Sequence, residues 1–244
     1  MEGIPDLLKL SREVVCSFSM IKPNRKTVSK VYLEEGLCFK EFPGDLKGMI
    51  AARDRVAAFR KANQPTEISG WTVTPAEVVK TEEEGNRFSM PVYEGPLLSE
   101  ITGRKEILEI TEILFKWYAF STERSSSPIV HGDLHGSNII INRRKREIIL
   151  IDPLARPGSA ETIWLDVLIY LVSLELQSGK MRLLSTEAAE IVHKELIEGS
   201  ADLQNRRMKY RQALLLLRLF LFSSENWKLK VKSVAALIRV VLCQ

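Results

Sequence analysis

The sequence predicts an α+β protein of two lobes, a small β-rich N-lobe followed by a mainly helical C-lobe. Segments rich in β-branched and aromatic residues crowd the first ninety residues, and apolar residues recur at helical spacing after residue 100. Gly95-Pro96 marks the change. In chain order, residues 14–21, 29–34 and 37–42 read as strands, and Glu35-Gly36 between the last two as a tight hairpin turn. A helix is expected over residues 46–62, with Ile50, Val56, Ala57 and Phe59 for its inner face, ending before Pro65. Residues 71–80 and 87–93 read as two further strands about the acidic turn 81–86. Ile107, Ile110, Leu114 and Trp117 mark one face of a helix over 101–122. A strand–turn–strand unit covers 139–151 and turns over the basic residues 143–146. Helices are then expected over 163–176, 186–198, 203–221 and 226–242.

Composition removes several classes of function. Arg218 cuts the apolar run 213–217, and Asp166 and Glu175 cut 163–176, so no stretch reaches the roughly 20 apolar residues of a membrane span. The first residues lack a secretory pattern, and a cytoplasmic location is expected. Cys16, Cys38 and Cys243 stand far apart, which excludes a cysteine-based zinc site and argues against a disulfide framework. The net charge of +4 is uneven, since residues 201–244 hold nine Lys/Arg against two Asp/Glu. That basic end reads either as solvated helix faces or as a surface for an anionic ligand or nucleic acid.

The chemistry concentrates between Ile129 and Pro153, in IVHGDLHGSNIIINRRKREIILIDP. Asn138 opens the first strand of the short hairpin and Asp152 closes the second, so antiparallel pairing brings an amide oxygen and a carboxylate side by side. Asp133 precedes Asn138 by five residues, in a loop that contains Gly132 and can fold back on the same spot. Hard oxygen donors of this kind suit Mg²⁺, which takes one or two carboxylates and completes its shell with water and phosphate.

His131-Gly132-Asp133-Leu134 with Asn138, followed by Ile151-Asp152-Pro153, resembles the catalytic loop and metal-binding motif of the aminoglycoside phosphotransferase and choline kinase-like family. The step from Asp133 to Asn138 matches the kinase pattern H-R-D-x-x-x-x-N, while Gly132 and the Ile-Asp-Pro sequence tilt the match towards small-molecule kinases. The resemblance implies a two-lobed protein kinase-like fold, with residues 1–90 as N-lobe, 91–96 as hinge and 97–244 as C-lobe. It further implies ATP and Mg²⁺ as cofactors and a hydroxyl-bearing small molecule (a sugar, antibiotic or metabolite) as acceptor. By the same resemblance Asp133, His131 and Asp166 are the catalytic set, with Asp133 taking or orienting the hydroxyl proton and Asp166 steadying the loop. Asn138 and Asp152 hold the metal. Lys40 binds phosphate and pairs with Asp54, and the backbone of Met90 and Val92 receives adenine.

Two departures stand out. Residues 22–28 contain no glycine, so the glycine-rich phosphate flap is missing, and position 54 carries Asp where the family has Glu. His131 reads as a residue that pins the backbone near Asp152, and His135 either as a residue on the side of the loop that faces substrate or as an incidental one. Beside the small-molecule kinase stand two other readings. One is a compact atypical protein kinase of the RNA-modification or ribosome-associated type, which the basic end fits. The other is a catalytically inactive kinase-like binding module. The polycationic character of aminoglycosides sits poorly with that basic end.

Overall fold

A computed structural model of the chain describes residues 29–125, 127–177 and 184–197. Glu35 and Gly36 both take positive φ, 51° and 77°, as a two-residue turn between twisted antiparallel strands requires. They join β1 (Lys30–Glu34) to β2 (Leu37–Glu41). The opposite edge of β2 pairs with β6 (Arg87–Pro91), and β6 pairs with β5 (Lys80–Glu82), so the first sheet runs β1-β2-β6-β5.

Helix α1 (Leu46–Ala62) begins where the Asp45 carboxylate accepts from the Gly48 N–H at 2.8 Å. It buries Met49, Ala52, Val56 and Phe59, a stripe at three- and four-residue steps. The inner face is therefore rotated from the expected one, leaving Ala57 exposed and Ile50 half-buried. At the far end the Asn63 amide donates to the carbonyls of Phe59 and, at 2.8 Å, Ile129. One side chain thus closes the helix and ties it to the second half of the chain.

A second turn of two left-handed residues, Ser69 and Gly70, joins β3 (Thr66–Ile68) to β4 (Trp71–Pro75). Strand β4 runs parallel to β9 (Glu147–Leu150), and β9 is antiparallel to β8 (Ile139–Asn142), giving a second sheet in the order β3-β4-β9-β8. The N–H groups of Thr72 and Ala76 extend the parallel ladder to Arg146 and Leu150 carbonyls at 2.9 and 2.8 Å. Two sequence expectations change here. Residues 71–80 form two strands in different sheets rather than one, because 71–75 pairs with β9 while the chain from Lys80 pairs with β6. Nor does the chain divide at residue 90: 66–75 belongs to the sheet that carries the motif hairpin. The reason is β9 itself, whose Ile148, Ile149 and Leu150 are all buried; an apolar strand covered on both faces is most stable with a partner on each edge.

After the 3₁₀ turn Leu98–Glu100 comes α2 (Arg104–Glu123), which buries the predicted Ile107, Ile110, Leu114 and Trp117 together with Thr111, Phe115 and Tyr118. The short β7 (Ile129–Val130) pairs with β10 (Arg156–Pro157). Helix α3 (Ala160–Gln177) follows, and α4 (Leu184–Val192) runs on into a π-helical turn, His193–Ile197. The described residues form two cores. The smaller gathers Phe42, Met49, Ala52, Val56, Ala76, Phe88 and Met90. The larger unites Phe59, Trp71 and Val73 with α2, the β8–β9 hairpin, α3 and α4. The architecture is thus α+β and two-lobed, with α1 reaching both cores. Among the described residues no helix is long and apolar enough to cross a membrane. The strand expected at 14–21, the loop 22–28, the helices expected at 203–221 and 226–242, and the basic segment 201–244 lie outside the described residues.

Residues 91–96 lead from the first sheet to the second lobe and are strapped to β8, where the Ile141 N–H donates to the Pro96 carbonyl at 2.9 Å. Gly95 has φ +131°, and a Cβ there would lie 2.2 Å from the Ile141 carbonyl oxygen, whereas Gly44, at φ +69°, has open space around it. Gly95→Ala is expected to lower stability by about 3 kcal/mol, against about 1 kcal/mol for Gly44→Ala. Urea midpoints at unchanged m-value measure both; equal losses would mean that the strap is not a fixed contact.

Candidate active site

The last paired residues of the hairpin are Ile139 and Leu150, and the Ile151 N–H then donates to the Asn138 carbonyl at 2.9 Å. Asn138 and Asp152 therefore stand at neighbouring strand ends. Asp152 has φ 53°, a left-handed conformation that Asp tolerates better than most residues. It turns the chain out of the sheet, and one carboxylate oxygen meets Lys40 Nζ at 2.6 Å. Lys40 comes from β2, in the other lobe. Its side chain is 16% exposed and that of Asp152 42%, so the pair adds only about 1 kcal/mol to stability. Its effect is to hold a cation against a carboxylate across the cleft.

Asn138 is buried, and its Nδ2 donates to the Asp133 carbonyl at 2.9 Å. The amide oxygen is then the atom left to act as donor to a cation. His131 is fully buried. Its Nδ1 accepts from the Asp133 N–H at 3.3 Å, so the ring proton lies on Nε2, which donates to the Ile151 carbonyl at 2.9 Å. Burial lowers its pKa to about 4, and the ring is neutral near pH 7. Under the loop lies Asp166, also fully buried, accepting from the N–H groups of Gly132 at 2.8 Å and Leu134 at 3.3 Å, and from the Tyr118 hydroxyl. Burial raises its pKa to about 6, opposed by these three donors. Burial and the charge of Asp166 push the Tyr118 hydroxyl well above its ordinary value, so it remains the donor. Two turns further along α3, Ser173 Oγ accepts from the Gly136 N–H at 3.0 Å. The Asp133 side chain, 40% exposed, thus projects from a loop whose backbone is fixed on both sides.

The structure brings together Lys40, Asp133, Asn138 and Asp152. His131 and Asp166, expected in the catalytic set, lie beneath the loop and position it instead; burial keeps them from touching a substrate. Asp54 is not brought to Lys40. It is exposed, bonded to its neighbour Arg53 at 2.7 Å, because it falls between Ala52 and Val56 on the outer side of α1. The partner of Lys40 is Asp152. Met90, the penultimate residue of β6, pairs with Cys38 and is buried, and Val92, just beyond the strand, is 42% exposed. Sequence reasoning missed Tyr118 and Ser173, since nothing in a helical pattern announces a contact 48 residues away. Among the described residues no group of three His, Cys, Asp or Glu side chains is gathered to hold a metal alone. The Asn138 amide oxygen and the Asp152 carboxylate nevertheless fit Mg²⁺, which draws most of its shell from phosphate and water.

No protein-family model matches the chain, and no curated protein matches it. Its structure is similar to a choline kinase from Streptococcus pneumoniae, at 12% identity over 97% of this chain and 99% of that one, with a TM-score of 0.45. It is similar also to an aminoglycoside phosphotransferase from Streptomyces rimosus, at 14% identity over 69% and 86%, TM-score 0.43. A third similar structure is the PknI kinase domain of Mycobacterium tuberculosis, at 11% over 70% and 85%, TM-score 0.42. Likenesses this distant do not assign a role to any residue, and the roles rest on the geometry.

Asp166→Ala would leave three buried donors unpaired and is expected to destabilise the chain by about 3–6 kcal/mol, and Tyr118→Phe by about 1.5–3 kcal/mol. Because the folded-state pKa of Asp166 is raised to about 6, the native chain binds that proton more tightly than the unfolded one. This stabilisation is complete below the unfolded value near 3.8 and is lost as pH rises through 6. The advantage of the native chain over Asp166→Asn in urea unfolding should therefore be largest near pH 4 and shrink by pH 7.

Proposed function

We propose that the chain is an ATP- and Mg²⁺-dependent phosphotransferase that moves the γ-phosphate to a hydroxyl of a small molecule, a sugar, antibiotic or metabolite. The observation that carries this reading is the meeting, at one hairpin end, of Lys40 from one lobe with Asp152, Asn138 and the Asp133 loop of the other. A lysine held on a carboxylate, an amide oxygen beside it and an exposed carboxylate on a fixed loop are what phosphoryl transfer needs. That reaction depends on positioning and on charge stabilisation more than on covalent help from protein.

In this reading Asn138 and Asp152 hold Mg²⁺, which when bound offsets the negative charge of the β- and γ-phosphate oxygens. Lys40 Nζ, already at the Asp152 carboxylate, donates to a phosphate oxygen. The acceptor oxygen bonds to the γ-phosphorus as the bridging P–O bond to ADP breaks, and Asp133 accepts the hydroxyl proton at a carboxylate oxygen. His131 and Asp166 keep the Asp133 backbone where that transfer occurs, and the backbone of Met90 and Val92 receives adenine.

Thermal unfolding tests the nucleotide site. Mg²⁺-ATP at 100 times its dissociation constant stabilises by about 2.7 kcal/mol, a rise on the order of 5–10 °C for a chain of this size. The rise should require magnesium and disappear in Asp152→Ala. With γ-labelled ATP and a panel of polyols, amino alcohols and aminoglycosides, Asp133→Asn should keep the rise and slow transfer about 100- to 10,000-fold. Label on protein alone would favour the protein kinase reading. A magnesium-dependent rise without transfer to any acceptor would favour the binding module.

A further inference from the structure

The catalytic loop carries two histidines, and they are used differently. His131 engages both ring nitrogens with backbone groups. His135 engages only one of its nitrogens in this way: Nδ1 accepts from the Ser137 N–H at 3.3 Å and caps the short turn Gly136–Asn138. That contact puts the ring proton on Nε2, and Nε2 lies 3.8 Å from Oδ2 of Asp133. The backbone fixes the pair as well, since the His135 N–H donates to the Asp133 carbonyl at 3.0 Å and the His135 carbonyl accepts from the Asn138 N–H at 2.8 Å. An Nε2–H aimed at a carboxylate from just outside hydrogen-bond distance is a contact that tightens when an acceptor is seated.

We propose that His135 is a positioning residue, whose Nε2–H holds Oδ2 of Asp133 so that the other carboxylate oxygen is presented to the acceptor hydroxyl. Burial lowers the pKa of the imidazole, outweighing the fields of Asp133 and Asp152, which act to raise it. It is a neutral donor, and it orients the carboxylate without cancelling the charge that draws the hydroxyl proton. A misplacement of a reacting group by about 1 Å costs up to about 100-fold in rate. The proposal rests on the phosphotransferase reading of Asp133.

Two substitutions separate positioning from a purely structural role in the loop. His135→Asn keeps a short acceptor for the Ser137 N–H, as an Asx turn does, but loses the far donor. His135→Gln carries an amide N–H at about the reach of Nε2 and gives up the cap. ADP release from Mg²⁺-ATP is measured with water and with the acceptor panel, on wild type, Asp133→Asn and both His135 variants. His135→Asn should lower kcat about 10- to 100-fold at unchanged KM for ATP, and His135→Gln should recover kcat to within about threefold of wild type. If Asn keeps kcat and Gln loses it, or both match wild type while Asp133→Asn is inactive, the role of His135 is overturned and the phosphotransferase reading stands. If wild type releases no ADP above the blank, or Asp133→Asn is as fast as wild type, that reading falls and this one with it.

Discussion

Strand β9 needs a partner on each edge, and the rest of the molecule follows from how it finds them. Ile148, Ile149 and Leu150 are buried on both faces of the sheet, and β8 and β4 satisfy their backbone groups. The hairpin turn sets the register of β9 against β8, pairing Asn142 with Glu147 and Ile139 with Leu150. That register delivers Asp152 beside Asn138. The backbone of Ile151 then serves both sides of the site: its N–H donates to the Asn138 carbonyl, and its carbonyl accepts from the His131 ring. Asn138 at the strand end and the loop-fixing His131 are in this way joined through the backbone of one residue.

The charges are arranged by depth. At the bottom, Asp166 and His131 are enclosed completely, and each answers the enclosure with hydrogen bonds from or to the backbone rather than with an ion pair. Higher up, where water screens, Lys40 faces Asp152 and Asp133 stands 40% exposed. Buried groups thus give the loop its shape, while the exposed ones remain available to a ligand. Since burying an unpaired charge is expensive, the deep layer leaves little room for substitution.

The motif hairpin, the span of α1 and the α2 face were legible because each depends on local pattern: turn residues, a proline stop, helical spacing. The pairing of Asn138 with Asp152 was legible too, since antiparallel hairpins have simple arithmetic. The parallel pairing of β4 with β9 was not, because strands more than seventy residues apart carry no mark of their partner. Lys40 could be placed on its strand, but its partner was misjudged. The choice of Asp54 came from the family pattern, while the inner face of α1 is decided by which of Met49, Ile50, Ala52 and Ala57 packs best, a tertiary choice. Tyr118, beneath the loop, lay hidden for the same reason.

The left-handed backbone of Asp152 narrows what evolution can put there. Only Gly, Asn and Asp adopt such angles with little strain, so these three keep the turn out of the sheet at low cost. Aspartate codons lie one base transition from those of both asparagine and glycine. The most accessible changes at this position therefore remove the carboxylate and spare the fold. A lineage carrying this architecture stands one nucleotide away from a well-folded protein with the same turn and no carboxylate facing Lys40.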